Sequence, residues 1–227
     1  MRGKRLILAS IGLTAAMLTT TAFAAGSLHV TRMTNNSAQP GLNYSCAYPR
    51  LAGIQNDAKQ QRLNIRFKEM AQAARLSAEL EAKMLPGAAA EGGYDFKVTR
   101  NVGGILSIKL TDTLKRYGRT QAKSGGVTVD TVSGATYRLG DLFFDKADYV
   151  TIISEKIEKQ ISQRGLDQKL LRDFKGIRSN EEFYLTDDAL VIIPKHDYFP
   201  EDLAVQEFTI QLKSLEGSLK PSLRLST

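Results

Sequence analysis

An α+β fold, an antiparallel sheet of hairpins with two main helices packed on one face, follows from three observations on the sequence. Apolar residues recur at alternate positions over 42–48 and 94–99, and Leu106, Ile108 and Leu110 do so within 105–114, the period of half-buried strands. Two segments, 56–84 and 147–163, carry apolar residues at helical spacing instead. Between these classes lies Val127 to Phe144, where the β-branched Val127 and Val129, a Ser133-Gly134 turn and Tyr137 predict a hairpin. Leu139, Leu142, Phe143 and Phe144 follow as an apolar plug, and Asp145 is placed to cap the next helix.

Taken in order, the chain opens on Arg2, Lys4 and Arg5, an apolar run from Leu6 to Leu18, and Ala22-Phe23-Ala24. That is the layout of a signal peptide spanning residues 1–24. The apolar run is shorter than the roughly 18–20 residues that a membrane span needs, so cleavage is expected over an uncleaved anchor, and no other segment is long and apolar enough to span a bilayer. Residues 25–41 read as a linker or edge strand around the island Leu28–Met33. Residues 42–227 read as a single α+β domain, divisible into lobes at 42–114 and 115–227.

Leu42, Tyr44, Cys46 and Tyr48 form one face of a strand that Pro49 should end, because proline cannot donate to a ladder. Asn56 or Asp57 opens the longest helix, which Leu85-Pro86-Gly87 stops. Its apolar face runs through Leu63, Phe67, Met70 and Ala74, then Leu76, Ala78 and Leu80. Gly87–Gly93 is expected as a loop, 94–99 and 105–114 as an antiparallel pair, and Lys115–Gly126 as a second loop. The second helix covers Ala147–Gln163, with Tyr149, Ile152, Ile153, Ile157 and Ile161 in one stripe. A short third helix is expected over Asp167–Phe174. Strands follow at 183–185, 190–193 and 205–212, the last with Phe208, Ile210 and Leu212 inward, and then a loose tail over 215–225.

The composition narrows the function. The chain has 31 basic and 24 acidic residues. Removal of residues 1–24 takes away three basic residues and no acidic one, leaving 28 against 24 and a net charge of +4. The charges are mixed along the chain, which suits an envelope surface and not a nucleic acid, where basic residues would cluster. The single cysteine, Cys46, cannot form an internal bridge and reads as a small buried hydrophobe.

No catalytic constellation, cofactor cradle or metal site is visible. The only histidines, His29 and His196, lie in separate elements, and neither H-E-x-x-H nor G-x-S-x-G occurs. Glu181-Glu182 reads as a solvated lead-in to a strand and Asp187-Asp188 as a turn. The densest polar and aromatic segment is His196-Asp197-Tyr198-Phe199-Pro200-Glu201-Asp202. His196, Asp197, Tyr198, Phe199 and Glu201 are the candidate ligand-binding residues, with Tyr198 and Phe199 as the contact groups.

The order of motifs resembles an exported bacterial domain family of unknown function. Tyr48-Pro49-Arg50-Leu51-Ala52-Gly53 and Leu63-Asn64-Ile65 resemble its opening. Asp130, Ser133, Gly134, Leu139, Asp141, Leu142 and Phe143 resemble its central signature, and Phe183–Ile193 with Tyr198 and Pro200 its close. This family forms the extracytoplasmic half of the lysozyme-sensing anti-sigma factor and accompanies some peptidoglycan deacetylases. Two departures stand out. The glycine-rich segment Tyr117–Gly126 lacks the family's histidine, and Asp202-Leu203-Ala204 replaces the glycine after the final proline.

The resemblance implies a non-catalytic exported binding domain, periplasmic or extracellular, without cofactor, whose partner is a lysozyme-type protein or cell-wall glycan. The mature charge of +4 gives no steering toward a basic lysozyme. One alternative is an envelope hydrolase or deacetylase-like enzyme using carboxylates near 196–202. Another is a structural envelope protein that assembles through a strand edge.

Overall fold

A computed structural model describes residues 27–84, 89–164, 174–194 and 207–221. The chain is of the α+β class, with nine strands in two sheets and two long helices among the described residues. The larger sheet contains β1 (His29–Thr34), β2 (Ser37–Gln39), β3 (Leu42–Ala52), β4 (Ala90–Val102), β5 (Ile105–Arg116) and β6 (Arg119–Asp130). Its order is β1-β3-β4-β5-β6, with β2 also paired to β3. The smaller sheet is β7 (Glu182–Leu185), β8 (Ala189–Ile193) and β9 (Phe208–Gln211), in that order and antiparallel.

One pairing departs from the expected hairpins: β3 and β4 run parallel, from Leu42–Ala90 to Cys46–Tyr94. A parallel pair needs a crossover, and α1 (Asp57–Met84) supplies it. The helix starts where the sequence predicts, with the Asn56 side chain accepting from Lys59 N–H at 3.0 Å. Leu63, Phe67, Ala71 and Ala78 are its buried residues. Leu76 and Leu80, expected on that face, are instead 57% and 59% exposed. The alanines at 71 and 78 make the contact with the sheet, and the leucines fall on the opposite side.

The opening motif has a mechanical reason. Asn64 of α1 accepts from Leu51 N–H at 2.7 Å and donates to Leu51 C=O at 2.9 Å, pinning β3 to the helix. Pro49 does not end β3. It sits opposite Arg32 of β1, beyond the Cys46–Tyr94 pair where the β4 ladder stops, so its missing N–H breaks no bond there. Cys46 is buried, as its residue type suggests.

Two expected loops are strands. β4 begins at Ala90, held by the parallel ladder to β3. Lys115–Gly126 belongs to a continuous β5–β6 hairpin, in register from Ile105–Asp130 to Arg116–Arg119. Its two-residue turn, Tyr117-Gly118, has φ of 48° and 72°, the positive pair that matches strand twist.

After β6 the chain turns at Asp130–Gly134 and returns through a bridge between Val129 and Thr136. A 3-10 turn at Leu139–Leu142 follows, and then α2 (Tyr149–Gln163). Asp148, not Asp145, caps α2 by accepting from Thr151 N–H at 3.2 Å. Phe144, expected in the plug, is 40% exposed. The segment after β9 is no loose tail as far as Pro221. Leu215 and Leu219 are buried, and Leu219 bridges to Phe143. The expected third helix falls almost wholly on residues 165–173, outside the described residues.

Each sheet has its own core. One joins α1 to the larger sheet through Phe67, Leu106, Ile108 and Val129. The other joins α2 to the smaller sheet through Ile153, Ile157, Ile192 and Phe208. Polar contacts join the sheets. Leu185 N–H, on the side of β7 not paired to β8, donates to the buried Ser107 hydroxyl of β5 at 2.8 Å. Ser107 in turn bonds Thr128 of β6 at 2.8 Å. A Cβ at Gly126 would overlap the Phe183 carbonyl, so only glycine lets β7 lie this close to β6. Lys109 pairs with Glu207 at 2.6 Å, and Arg100 donates to the Thr186 and Asp187 carbonyls.

Candidate functional site

Along this joint lies a groove of about 600 Å³. One wall is the return arm of the hairpin and the 3-10 turn, Thr136 to Asp141; the other is Ser179 to Phe183, leading into β7. Gly126 and Val127 of β6, Arg66 of α1 and Tyr149 of α2 complete it. Residues from both cores therefore meet in one concavity, a common position for a ligand site.

The walls are held by local hydrogen bonds. The Asp130 carboxylate accepts from Ser133 N–H at 2.6 Å, Val132 N–H at 3.1 Å and the Tyr137 hydroxyl at 3.2 Å. Partial burial alone would raise the Asp130 pKa, but these donors outweigh it and hold the carboxyl below its ordinary value. Burial, and then the charge of Asp130, raises the Tyr137 pKa, so this hydroxyl stays protonated at neutral pH. Asp141 accepts from Arg138 N–H at 2.7 Å, which fixes the turn and leaves the Arg138 side chain exposed.

The Tyr149 ring stacks on Phe143 at 5.1 Å between centroids, and its hydroxyl donates to Ser179 C=O at 3.2 Å, tying the two walls together. A Cβ at Gly140 would sit 3.0 Å from that hydroxyl. Glu181, expected as solvated, is 3% exposed, and it accepts from Arg178 N–H at 3.1 Å. Folding the segment over β6 buries it. Glu182 stays exposed and reaches over Gly125, its Oε2 2.9 Å from where a Cβ would stand.

The groove thus offers two guanidinium groups, carboxylates, an asparagine side chain and two tyrosine rings. This mixture can hydrogen-bond a polyhydroxylated, amide-bearing ligand, with aromatic faces for its apolar patches. A second polar cluster lies under α1. Tyr44 donates to Asp112 at 3.1 Å, while the buried Tyr94 hydroxyl has no hydrogen-bond partner among the described residues. Burial is the main cause that raises both pKa values. No group of three or more His, Cys, Asp and Glu placed to hold a metal occurs among the described residues.

The residues singled out from the sequence, His196, Asp197, Tyr198, Phe199 and Glu201, lie in 195–206, outside the described residues. Ile193, two residues before that segment, pairs with Glu182 of the groove. Sequence reasoning missed Arg66, Arg138, Tyr149 and Asn180 as site residues. None carries a local signal, because the fold alone gathers them from four distant elements.

Residues 140–210 match a family described as "Protein of unknown function (DUF3298)". The matched stretch includes Gly140, Asp141, Tyr149 and the Ser179–Phe183 wall. No curated protein matches the chain. The fold is similar to the crystal structure of a DUF3298 family protein from Pseudomonas aeruginosa PAO1, with a TM-score of 0.63 at 15% identity. That match covers 88% of this chain and 98% of the other. It is also similar to the crystal structure of a member of the family from Bacteroides fragilis NCTC 9343, with a TM-score of 0.60 at 16% identity over 87% of this chain and 95% of that one. Residues 140–210 therefore carry a match to the DUF3298 family of unknown function, and the chain's fold is similar to that of two proteins of that family.

Proposed function

We propose that this chain is an exported, non-catalytic binding domain of the cell envelope, and that its groove takes the glycan strand of peptidoglycan. The groove at the joint of the sheets carries this reading. Peptidoglycan presents sugar hydroxyls, acetamido groups and lactyl or peptide carboxylates. Tyr137 and Tyr149 supply ring surfaces, Asn180 and Glu182 hydrogen-bonding groups, and Arg66 and Arg138 partners for carboxylates. The signal-like residues 1–24 support export, and the resemblance to an envelope-sensing family supports the location. A lysozyme-type protein is the second reading. The signature Asp130–Phe143 favours it through that resemblance, whereas the net charge of +4 works against it.

The test is co-sedimentation of residues 25–227, which contain every described element, with purified insoluble peptidoglycan. Saturable binding is expected, weakened about 10-fold by Arg138→Ala, an exposed side chain whose loss removes a charge-assisted bond. No release of reducing sugar or acetate is expected on long incubation. Binding to lysozyme alone would replace the first reading with the second, and turnover of the glycan would defeat both.

A further inference from the structure

We propose that the end of the molecule where α1 finishes beside the β5–β6 hairpin tip docks on an anionic phospholipid surface. The outer face of α1 carries Leu76, Leu80 and Met84 at i, i+4 and i+8, so they share one stripe. They are 57%, 59% and 70% exposed. The hairpin tip adds Tyr117, 65% exposed, at a positive φ that only a turn accounts for. Arg116 Nη1 donates to Glu81 C=O at 2.8 Å and so holds the tip against the last turn of the helix. Leu80 and Tyr117, the neighbours of those two residues, thereby reach the same end of the molecule.

The charge around this patch commits it to one occupant. Lys83, Lys115 and Arg119 are exposed, and Arg116 lies 5.3 Å from the Tyr117 ring. Against these four cations stand the carboxylates of Glu81 and Glu91, the latter opposite Lys115 in the ladder, while Glu79 beside Leu80 is paired with Arg75. Apolar side chains and an aromatic ring ringed by excess lysine and arginine match the boundary of an anionic bilayer. Of the other exposed large hydrophobics among the described residues, Ile65 lies on α1 eleven residues before Leu76, away from the hairpin tip, and Val102, Val132 and Phe144 lie on other elements or loops. The groove lies elsewhere, along the joint of the sheets, so the two surfaces are separable.

The experiment is flotation of residues 25–227 with vesicles of three parts phosphatidylcholine to one part phosphatidylglycerol, against phosphatidylcholine alone. The expected bound fraction is about 10-fold higher on the anionic vesicles and falls with added salt. The pair Leu80→Glu with Met84→Glu, and separately Lys115→Ala with Arg119→Ala, should each cut it about 5-fold while leaving the melting temperature within about 2 °C, because these side chains are exposed. Peptidoglycan co-sedimentation of both variants should match the wild type. Absence of binding to anionic vesicles, equal binding to neutral ones, or full binding by either variant would overturn the proposal.

Discussion

Replacing Ser107 by alanine tests how the two sheets are joined. Ser107 is fully buried, accepts from Leu185 N–H at 2.8 Å and shares a 2.8 Å bond with Thr128. Alanine leaves a buried backbone donor without a partner, which costs about 1–3 kcal/mol, and strands the Thr128 hydroxyl for about 1 kcal/mol more. The sum, about 2–4 kcal/mol, corresponds to a fall in melting temperature on the order of 5–10 °C for a chain of this size. Thr128→Val, which leaves the Leu185 bond in place, should cost less, about 1 kcal/mol. The double variant should be less destabilised than the sum of the two, since the pair shares one bond. Urea unfolding followed by circular dichroism gives the energies, and hydrogen exchange of the Leu185 amide reports the bond itself. A Ser107→Ala protein within about 0.5 kcal/mol of wild type, with that amide still protected, would refute the polar joint.

Two further outcomes follow from the same joint. Gly126→Ala places a methyl group into the Phe183 carbonyl, so the sheets must part; destabilisation of about 1–3 kcal/mol and weaker peptidoglycan binding are expected, read by melting and co-sedimentation. Burial works to raise the Glu207 pKa, but Lys109, Tyr184 and Ser124 together hold it below the ordinary glutamate value. Its contribution to stability is therefore complete above that ordinary value and is lost as the pH falls through the lower folded value. Unfolding measured across acidic pH should show this slope in the wild type and a shallower one in Glu207→Gln.

Where burial follows simple periodicity, the sequence and the structure agree. α1 opens at Asp57 after an Asn56 cap, β8 is apolar throughout, and Phe208 and Ile210 point inward from β9. Periodicity failed where tertiary contacts set the pattern. The far half of the β5–β6 hairpin is polar because it projects to the exposed tip at Tyr117, and Gly125-Gly126 is a strand interior made smooth for β7. Leu76 and Leu80 repeat at helical spacing, yet the sheet lies under Ala71 and Ala78. Glu181 carries an ordinary surface residue type and becomes buried when its segment folds over β6. The groove was illegible for a related reason. Arg66, Arg138, Asn180 and Glu182 are each unremarkable in sequence and meet only through the folding of both sheets.

The groove as a glycan site is tested most directly by titrating a soluble disaccharide-peptide from peptidoglycan into isotope-labelled protein, residues 25–227, and following backbone amide shifts. Saturable shifts concentrated at 136–141 and 179–183, with weaker binding by Arg138→Ala, are the predicted result. Unchanged amides along both walls, or saturable shifts confined to another face, would contradict it.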